Sequence, residues 1–163
     1  MKRTLIIAAC VFFSFNSLMA QSNNEDIDMV QAAFGKTKKH LVCQYMQVPA
    51  KDSVAFWKLY DEYEGKRKAL GKARINIIQQ YADNYDKLTD AKATELATKT
   101  LANDAQYTTL YQTYLKKFSA ITGGRSAAKL FQLEVYLQTL VRAKVMTDVP
   151  FIDELDKSKM QTP

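Results

Sequence analysis

The run AKDSVAFWKLYDEYEGKRKALGKARINIIQQYADNYDKL, from Ala50 to Leu88, decides the fold. Phe56, Tyr60, Tyr63, Arg67, Leu70, Arg74, Ile78, Tyr81, Tyr85 and Leu88 follow one another at steps of three or four, about 3.6 residues per turn, so they share one helix face. Eight of the ten are apolar or aromatic, which makes that face a core stripe. Gly65 and Gly71 each cost about 1 kcal/mol against Ala inside the run, and neither interrupts the stripe. Pro49 disfavours helical geometry at Val48 and suits a first helical turn, which sets the start near Ala50. At about 1.5 Å per residue such a helix is roughly 60 Å long, more than the diameter of a compact globule of this chain length, so an elongated molecule is expected.

Thr89 offers an N-cap for a third helix over 90–121, and the connection is too short for anything but an antiparallel return. Its expected stripe is Ala97, Leu101, Ala105, Thr108, Tyr111, Leu115 and Phe118. Thr122-Gly123-Gly124 stops it, because glycine tolerates the positive φ that ends a helix. A fourth helix, Ser126 to Met146, is expected to bury Leu130, Leu133, Leu137, Leu140 and Val141. Ahead of the long pair, Glu25 to Met46 carries Ile27, Val30, Phe34, Leu41 and Tyr45 at helical spacing, weakened in the middle by Gly35 and the Lys36-Thr37-Lys38-Lys39 run. No sustained period-two alternation and no Asn-Gly or Asp-Gly turn competes. The expected fold is all-α, an elongated long-helix hairpin with flanking N- and C-terminal helices, about four in all. The helical domain is expected over 21–147, and 148–163 as a largely mobile tail in which Phe151-Ile152 docks.

With 47% hydrophobic residues, five Gly and three Pro, the chain is neither disordered nor collagen-like. Lys2 and Arg3, the apolar run Leu5 to Phe15 and the small residue Ala20 before polar Gln21-Ser22-Asn23-Asn24 read as a secretory signal peptide cleaved after Ala20. A periplasmic or secreted protein is therefore expected. Ile7-Ala8-Ala9-Cys10 offers a competing lipoprotein reading, with a tether through Cys10, but Val11-Phe12-Phe13 continues the apolar run where a tether would turn polar. Losing Lys2 and Arg3 takes the net charge from +6 to +4, too mild to argue for nucleic acid. Cys43 is then the only thiol, so no intramolecular disulfide forms, and it is expected as a small buried hydrophobe rather than an inter-chain link.

The search for chemistry is short. His40 is the only histidine and has no nucleophile or acid at a catalytic spacing; no phosphate loop, dinucleotide fingerprint or CxxC is present. An enzyme is the least expected class, and no cofactor is expected. His40 and Cys43, three apart on a helix, offer two soft metal ligands; a site needs two more, such as Asp28, and the expectation is a helical His beside a buried Cys. Asp61, Glu62 and Glu64 face Lys58, Lys66, Arg67 and Lys68 at helical offsets, as a solvated face would. Arg67 and Arg74 lie on the apolar stripe itself, so they must pair, snorkel or face an unsealed groove, and Glu134 is the candidate partner across the core. Tyr60, Tyr63, Tyr81, Tyr85, Tyr107, Tyr111 and Tyr114 sit on the two long helices; a helix-helix seam is the simpler reading and an amphipathic binding face the other.

Three blocks in order carry a resemblance. Phe56-Trp57-Lys58-Leu59-Tyr60-Asp61-Glu62-Tyr63 looks like an F-W-x-x-Y-x-x-Y opening of a long helix. Leu88-Thr89-Asp90-Ala91-Lys92 is similar to an LTxxQ signature with Lys92 in place of Gln. Ile121-Thr122-Gly123-Gly124-Arg125 is a degraded second copy, running into Ala127-Ala128-Lys129-Leu130-Phe131-Gln132-Leu133-Glu134. Together they resemble the Spy/CpxP-like family of periplasmic chaperones and stress sensors, over about Val48 to Val145. The resemblance implies a long helical hairpin that dimerises into a curved cradle and holds unfolded clients, or reports envelope stress, without ATP. Carried over by position, the concave-face candidates are the bases Lys58, Arg67, Arg74 and Lys92 and the rings Phe56, Trp57, Tyr60 and Tyr63.

The expected function is thus an exported, ATP-independent chaperone-like or stress-adaptor protein, a homodimer whose basic and aromatic face takes unfolded envelope proteins or a membrane-bound sensor. Capture by the bases makes its affinity fall as salt rises. A metal sensor built on His40 and Cys43, and a non-catalytic structural partner of an envelope complex, are the alternatives.

Overall fold

The structure, a computed structural model, describes residues 35–150 and residue 152. The proposed signal peptide, its cut at Ala20, Cys10, Asp28, the start of the first helix, Phe151 and 153–163 lie outside the described residues. The chain divides into two units, Met1–Leu41 and Val42–Pro163. In the first, the described residues 35–41 are helical and begin α1, which runs over 35–46. The second holds the end of α1 and three long helices, α2 Ala50–Asn84, α3 Asp90–Thr122 and α4 Gly124–Asp148. The described residues are all-α, with four helices, a single 3-10 turn at Tyr85–Lys87 and one further 3-10 position at Ile152.

Each boundary has a local cause. Gln47 takes a φ of 49° where α1 ends, and the Pro49 carbonyl accepts from the Asp52 amide at 3.0 Å to open α2. α2 stops one turn earlier than the periodicity predicts, because Tyr85–Lys87 tighten into the 3-10 turn, a common way for a helix end to satisfy its last carbonyls. The Thr89 hydroxyl accepts from the Lys92 amide at 3.3 Å, the N-cap expected for α3. Gly123 serves both neighbours: its amide donates to Ser119 of α3 and its carbonyl accepts from Ala127 of α4, both at 3.0 Å. Its φ of 82° with ψ of 156° is a conformation essentially confined to glycine.

α3 packs against both α2 and α4. The core is mainly aromatic. Phe56, Tyr60 and Tyr63 from α2, Tyr114 and Phe118 from α3, and Leu130 and Phe131 from α4 interlock, joined by Val42 and Met46. The Tyr63 ring lies 5.3 Å from that of Tyr114 and 5.8 Å from that of Phe131, and Phe118 lies 5.1 Å from Phe56, spacings at which tilted and edge-to-face rings attract beyond their burial. The α2 stripe therefore lies where its periodicity puts it, buried at Phe56, Tyr60, Tyr63 and Arg67 and half-buried from Leu70 to Leu88.

Three packing expectations are corrected. α3 is rotated from the expected register: Leu96, Asn103, Tyr107, Leu110, Tyr114 and Phe118 are buried, while Leu101 is exposed, as are Ala97, Ala105, Thr108 and Leu115. Tyr107 and Tyr114 hold the inward positions, where the Tyr114 ring packs against Tyr63 and both hydroxyls reach acceptors. On α4 the buried residues are Ala127, Leu130, Phe131 and Glu134, where the helix joins the aromatic core, and the expected Leu140 and Val141, beyond that core, are exposed. Cys43 is exposed and free, because Val42 and Met46 take the inward positions of α1.

Candidate functional groove

α2 and α4 share a buried polar cluster along their middle turns. Glu64, Arg67 and Glu134 are all buried. Arg67 donates to Glu64 through Nε at 2.8 Å and Nη2 at 3.2 Å, a two-point ion pair within α2, and the Tyr63 hydroxyl donates to Glu134 Oε2 at 2.8 Å. Burial works against the Arg67 charge, but the hydrogen bond and charge of Glu64, with help from Glu134, outweigh it and hold the guanidinium pKa above its ordinary value. Burial pushes the Tyr60 and Tyr63 hydroxyls well up, and the Glu134 charge adds to this. One layer further along, Arg74 donates to Asp104 at 2.6 Å, Arg142 of α4 reaches the same carboxylate at 2.8 Å, and Asn103 donates to the Leu70 carbonyl at 3.1 Å. These bonds tie the three helices in register, fully buried at Glu64, Arg67 and Glu134 and half-buried at Arg74, Asp104 and Arg142.

This corrects the candidate face. Phe56, Tyr60, Tyr63 and Arg67 are core residues, not surface ones, and Arg74 is paired across the helices with Asp104. Trp57 is half-buried edge-on to Phe56, at 5.0 Å between ring centres. Lys58 is exposed. Lys92 is half-buried and paired with Glu95 at 3.0 Å. Lys58 near the start of α2 and Lys92 near the α2–α3 turn stand at opposite ends of the hairpin, about 40 Å apart at the helical rise. The eight residues do not form one surface. Of the tyrosines, Tyr60, Tyr63, Tyr107 and Tyr114 are buried and Tyr81, Tyr85 and Tyr111 half-buried, which is the seam reading. Burial pushes Tyr111 up to about 12, with Glu134 adding to it.

What the hairpin does present is a groove of about 440 Å³ between α2 and α3, lined by Lys66, Ala69 and Leu70 on one side and Gln106, Thr109, Leu110, Thr113 and Tyr114 on the other. Leu70 and Leu110 make its floor. Ala69, Thr109 and Thr113 are short and exposed, and their small size leaves the groove open. Its head is charged: Tyr114 donates to Glu62 at 2.5 Å, Lys117 pairs with Glu62 at 3.1 Å and Lys66 at 3.7 Å. Both ammonium groups also stand over the Tyr114 ring, 4.8 Å and 5.6 Å from its centre. The Tyr114 hydrogen bond, followed by that from Lys117, holds the Glu62 carboxyl below its ordinary value, while burial and Glu62 push Tyr114 up to about 12. With two ammonium groups and one carboxylate the head is net cationic, and Lys58 lies one turn of α2 beyond it. The arrangement can hold an apolar segment along its floor and an acidic group at its head. It has no nucleophile paired with a base.

The register expected for α3, through Leu101 and Leu115, does not reveal the groove. Tyr107, Leu110, Tyr114 and Phe118 at steps of three and four were legible in the sequence and would have placed Thr109 and Thr113 on an open flank. His40 and Cys43 are both exposed on α1, and among the described residues no three His, Cys, Asp or Glu side chains converge to hold a metal ion. A larger space, about 700 Å³, lies at the α2–α3 turn, where Ile152 lines it with Tyr85, Asp86 and Leu88 among others, and the Pro150 carbonyl accepts from the Tyr81 hydroxyl at 3.0 Å. Ile152 remains exposed there, so the expected docking of the tail is a loose one at this residue. Among the described residues no helix is long and apolar enough to cross a membrane. Comparison of the chain with protein-family models, with curated proteins and with solved structures gives no match.

Proposed function

We propose that this chain is an exported, ATP-independent binding protein of the chaperone-like or stress-adaptor kind, which holds segments of partly unfolded protein in the groove between α2 and α3. The observation that carries the reading is the groove itself, with its apolar floor of Leu70 and Leu110, short walls and a cationic head of Lys66 and Lys117 held over the buried Tyr114 ring. Such a surface selects by composition rather than by shape: apolar side chains bind along the floor and an acidic residue at the head adds a salt-dependent increment. The order of the Phe56, Leu88 and Ile121 blocks and the export-like start of the sequence support the same reading. Binding here is non-catalytic and governed by mass action.

The test is suppression of aggregation of a reduced model client. Ala69→Glu with Thr113→Glu, both at exposed positions, fills the groove with bulk and negative charge while leaving the core untouched. Suppression is expected to weaken by about tenfold, equivalent to about 1.4 kcal/mol of binding, with the helical circular dichroism and melting temperature unchanged. Undiminished suppression by the double variant overturns the assignment.

A further inference from the structure

The groove between α2 and α3 changes character along its length. Its charge stands at the head, and none of the side chains that line the rest, Ala69, Leu70, Gln106, Thr109, Leu110 and Thr113, is ionisable. Within one turn of Glu62 and Lys117 the exposed charges are Lys58, Lys66, Lys116 and Lys117 against Asp61 and Glu62; Glu64, the remaining acid, is buried against Arg67. The head is therefore cationic even when every neighbour is counted. Glu62 stands 3.1 Å from Lys117 and 3.7 Å from Lys66, and an ammonium carries three donors, so both lysines, with 45% and 59% of their side chains exposed, keep N–H groups for a second anion. From Glu62 to Leu70 along α2 is about 12 Å at the helical rise, and from Lys117 to Gln106 along α3 about 16 Å. The volume, about 440 Å³, is that of a small-molecule site.

The floor decides which small molecule. The backbone polar groups of α2 and α3 are spent inside their own helices, and the Thr109 hydroxyl donates to the Ala105 carbonyl at 3.0 Å. Such a floor offers few hydrogen bonds to a ligand lying along it, so the ligand that loses least there has one polar group, at its end. We infer that the groove is a site for a free fatty acid of about twelve carbons, with its carboxylate taken by Lys66 and Lys117 and its chain laid over Leu70 and Leu110 toward Gln106. Twelve carbons joined by bonds of about 1.5 Å span about 14 Å as an extended zigzag, which matches the length of the groove. Charge complementarity fixes the head as an anion, and apolar burial, about 0.8 kcal/mol for each methylene fully covered, supplies the affinity. This ligand is not the protein client proposed above; the two share the groove, and the inference rests on the groove's geometry alone.

The test is calorimetric titration of the purified, delipidated chain with dodecanoate below its micelle concentration. One molecule is expected to bind per chain. Octanoate, four methylenes shorter, is expected to bind at least about tenfold more weakly, less than full burial of those methylenes would give because the groove is open on one side. Dodecyltrimethylammonium, with the same chain and the opposite charge, is expected to be weaker by a similar factor. Lys66→Gln with Lys117→Gln, both at exposed positions, is expected to weaken dodecanoate about tenfold and to flatten its salt dependence, and Leu101→Ser, on the far side of α3, to leave it unchanged, with the melting curves of both variants those of the parent. No saturable binding below the micelle concentration, equal binding of the two head charges, or undiminished affinity in the double glutamine variant would each overturn the inference. Binding only to phosphatidylglycerol vesicles would overturn it as well, by making a membrane surface the ligand. Ala69→Glu with Thr113→Glu separates the two readings of the groove: dodecanoate binding lost with client suppression intact removes the client reading alone, and suppression lost in a chain whose parent never binds dodecanoate removes this one alone.

Discussion

Tyr63 lies at the centre of the molecule and does two jobs with one side chain: its ring fills the space between Tyr114 and Phe131, and its hydroxyl gives Glu134 a donor in the core. Tyr63→Phe keeps the first and removes the second, so urea denaturation is expected to show a loss of about 1–3 kcal/mol, the cost of leaving a buried acceptor short of a bond. A loss under about 0.5 kcal/mol would mean that water replaces the hydroxyl. Arg67→Met is expected to cost more, about 3–5 kcal/mol, since it strips a buried carboxylate, Glu64, of its guanidinium. An Arg67→Met protein as stable as the parent would contradict the pairing. At this scale the sequence was half legible. That Arg67 and Arg74 needed partners followed from their places on an apolar stripe, and that Glu64 and Asp104 supply them did not, because each acid sits among other charged or polar residues and only packing distinguishes the buried one from its exposed neighbours.

The helices themselves differ in how openly their registers are written. α2 repeats large apolar residues at every step of one face, and its burial follows the pattern from Phe56 to Leu88. α3 offers two apolar arcs, one through Leu101 and Leu115 and one through Leu96, Tyr107, Leu110 and Tyr114. The second faces inward because its tyrosines bury more ring area and end in hydroxyls that find acceptors, Glu62 for Tyr114 and the Arg67 carbonyl for Tyr107. α4 offers apolar residues all round, so no periodicity could say which arc faces α3. Between α3 and α4, Gly123 was legible as a stop, and its backbone makes a prediction: at a φ of 82° and ψ of 156°, Gly123→Ala is expected to cost about 1–3 kcal/mol in thermal or urea unfolding. No atom lies within 4 Å of the added methyl, so the loss measures backbone strain alone. A neutral result would show that the α3–α4 link relaxes to another conformation.

At the scale of the whole molecule, ionisation limits stability from both sides. Glu62 and Glu95 are held below their ordinary 4.5 by hydrogen bonds, from Tyr114 and Lys117 for the first and from Lys99 and Lys92 for the second. A lowered carboxylate stabilises the fold above that ordinary value and loses its contribution as pH falls through the lower folded one. Tyr111 and Tyr114, pushed up to about 12, act in the opposite sense: they favour the fold below the ordinary 10.0 and lose that contribution as pH rises from there through 12. Melting temperature is therefore expected to be flat from about pH 6 to 9 and to fall on both sides, and Glu62→Gln is expected to soften the acid limb. An acid limb identical in Glu62→Gln would remove Glu62 from that balance. The function proposed for the molecule depends on which side of the hairpin a client touches. Site-specific photo-cross-linking decides this when the probe is placed in turn at Thr113, on the groove, and at Leu101, which is 69% exposed on the far side of α3. With a reduced model client the probe at Thr113 is expected to capture it, less so at high salt, and the probe at Leu101 to capture little. Equal capture from both, or capture from Leu101 alone, would contradict the groove as the binding surface.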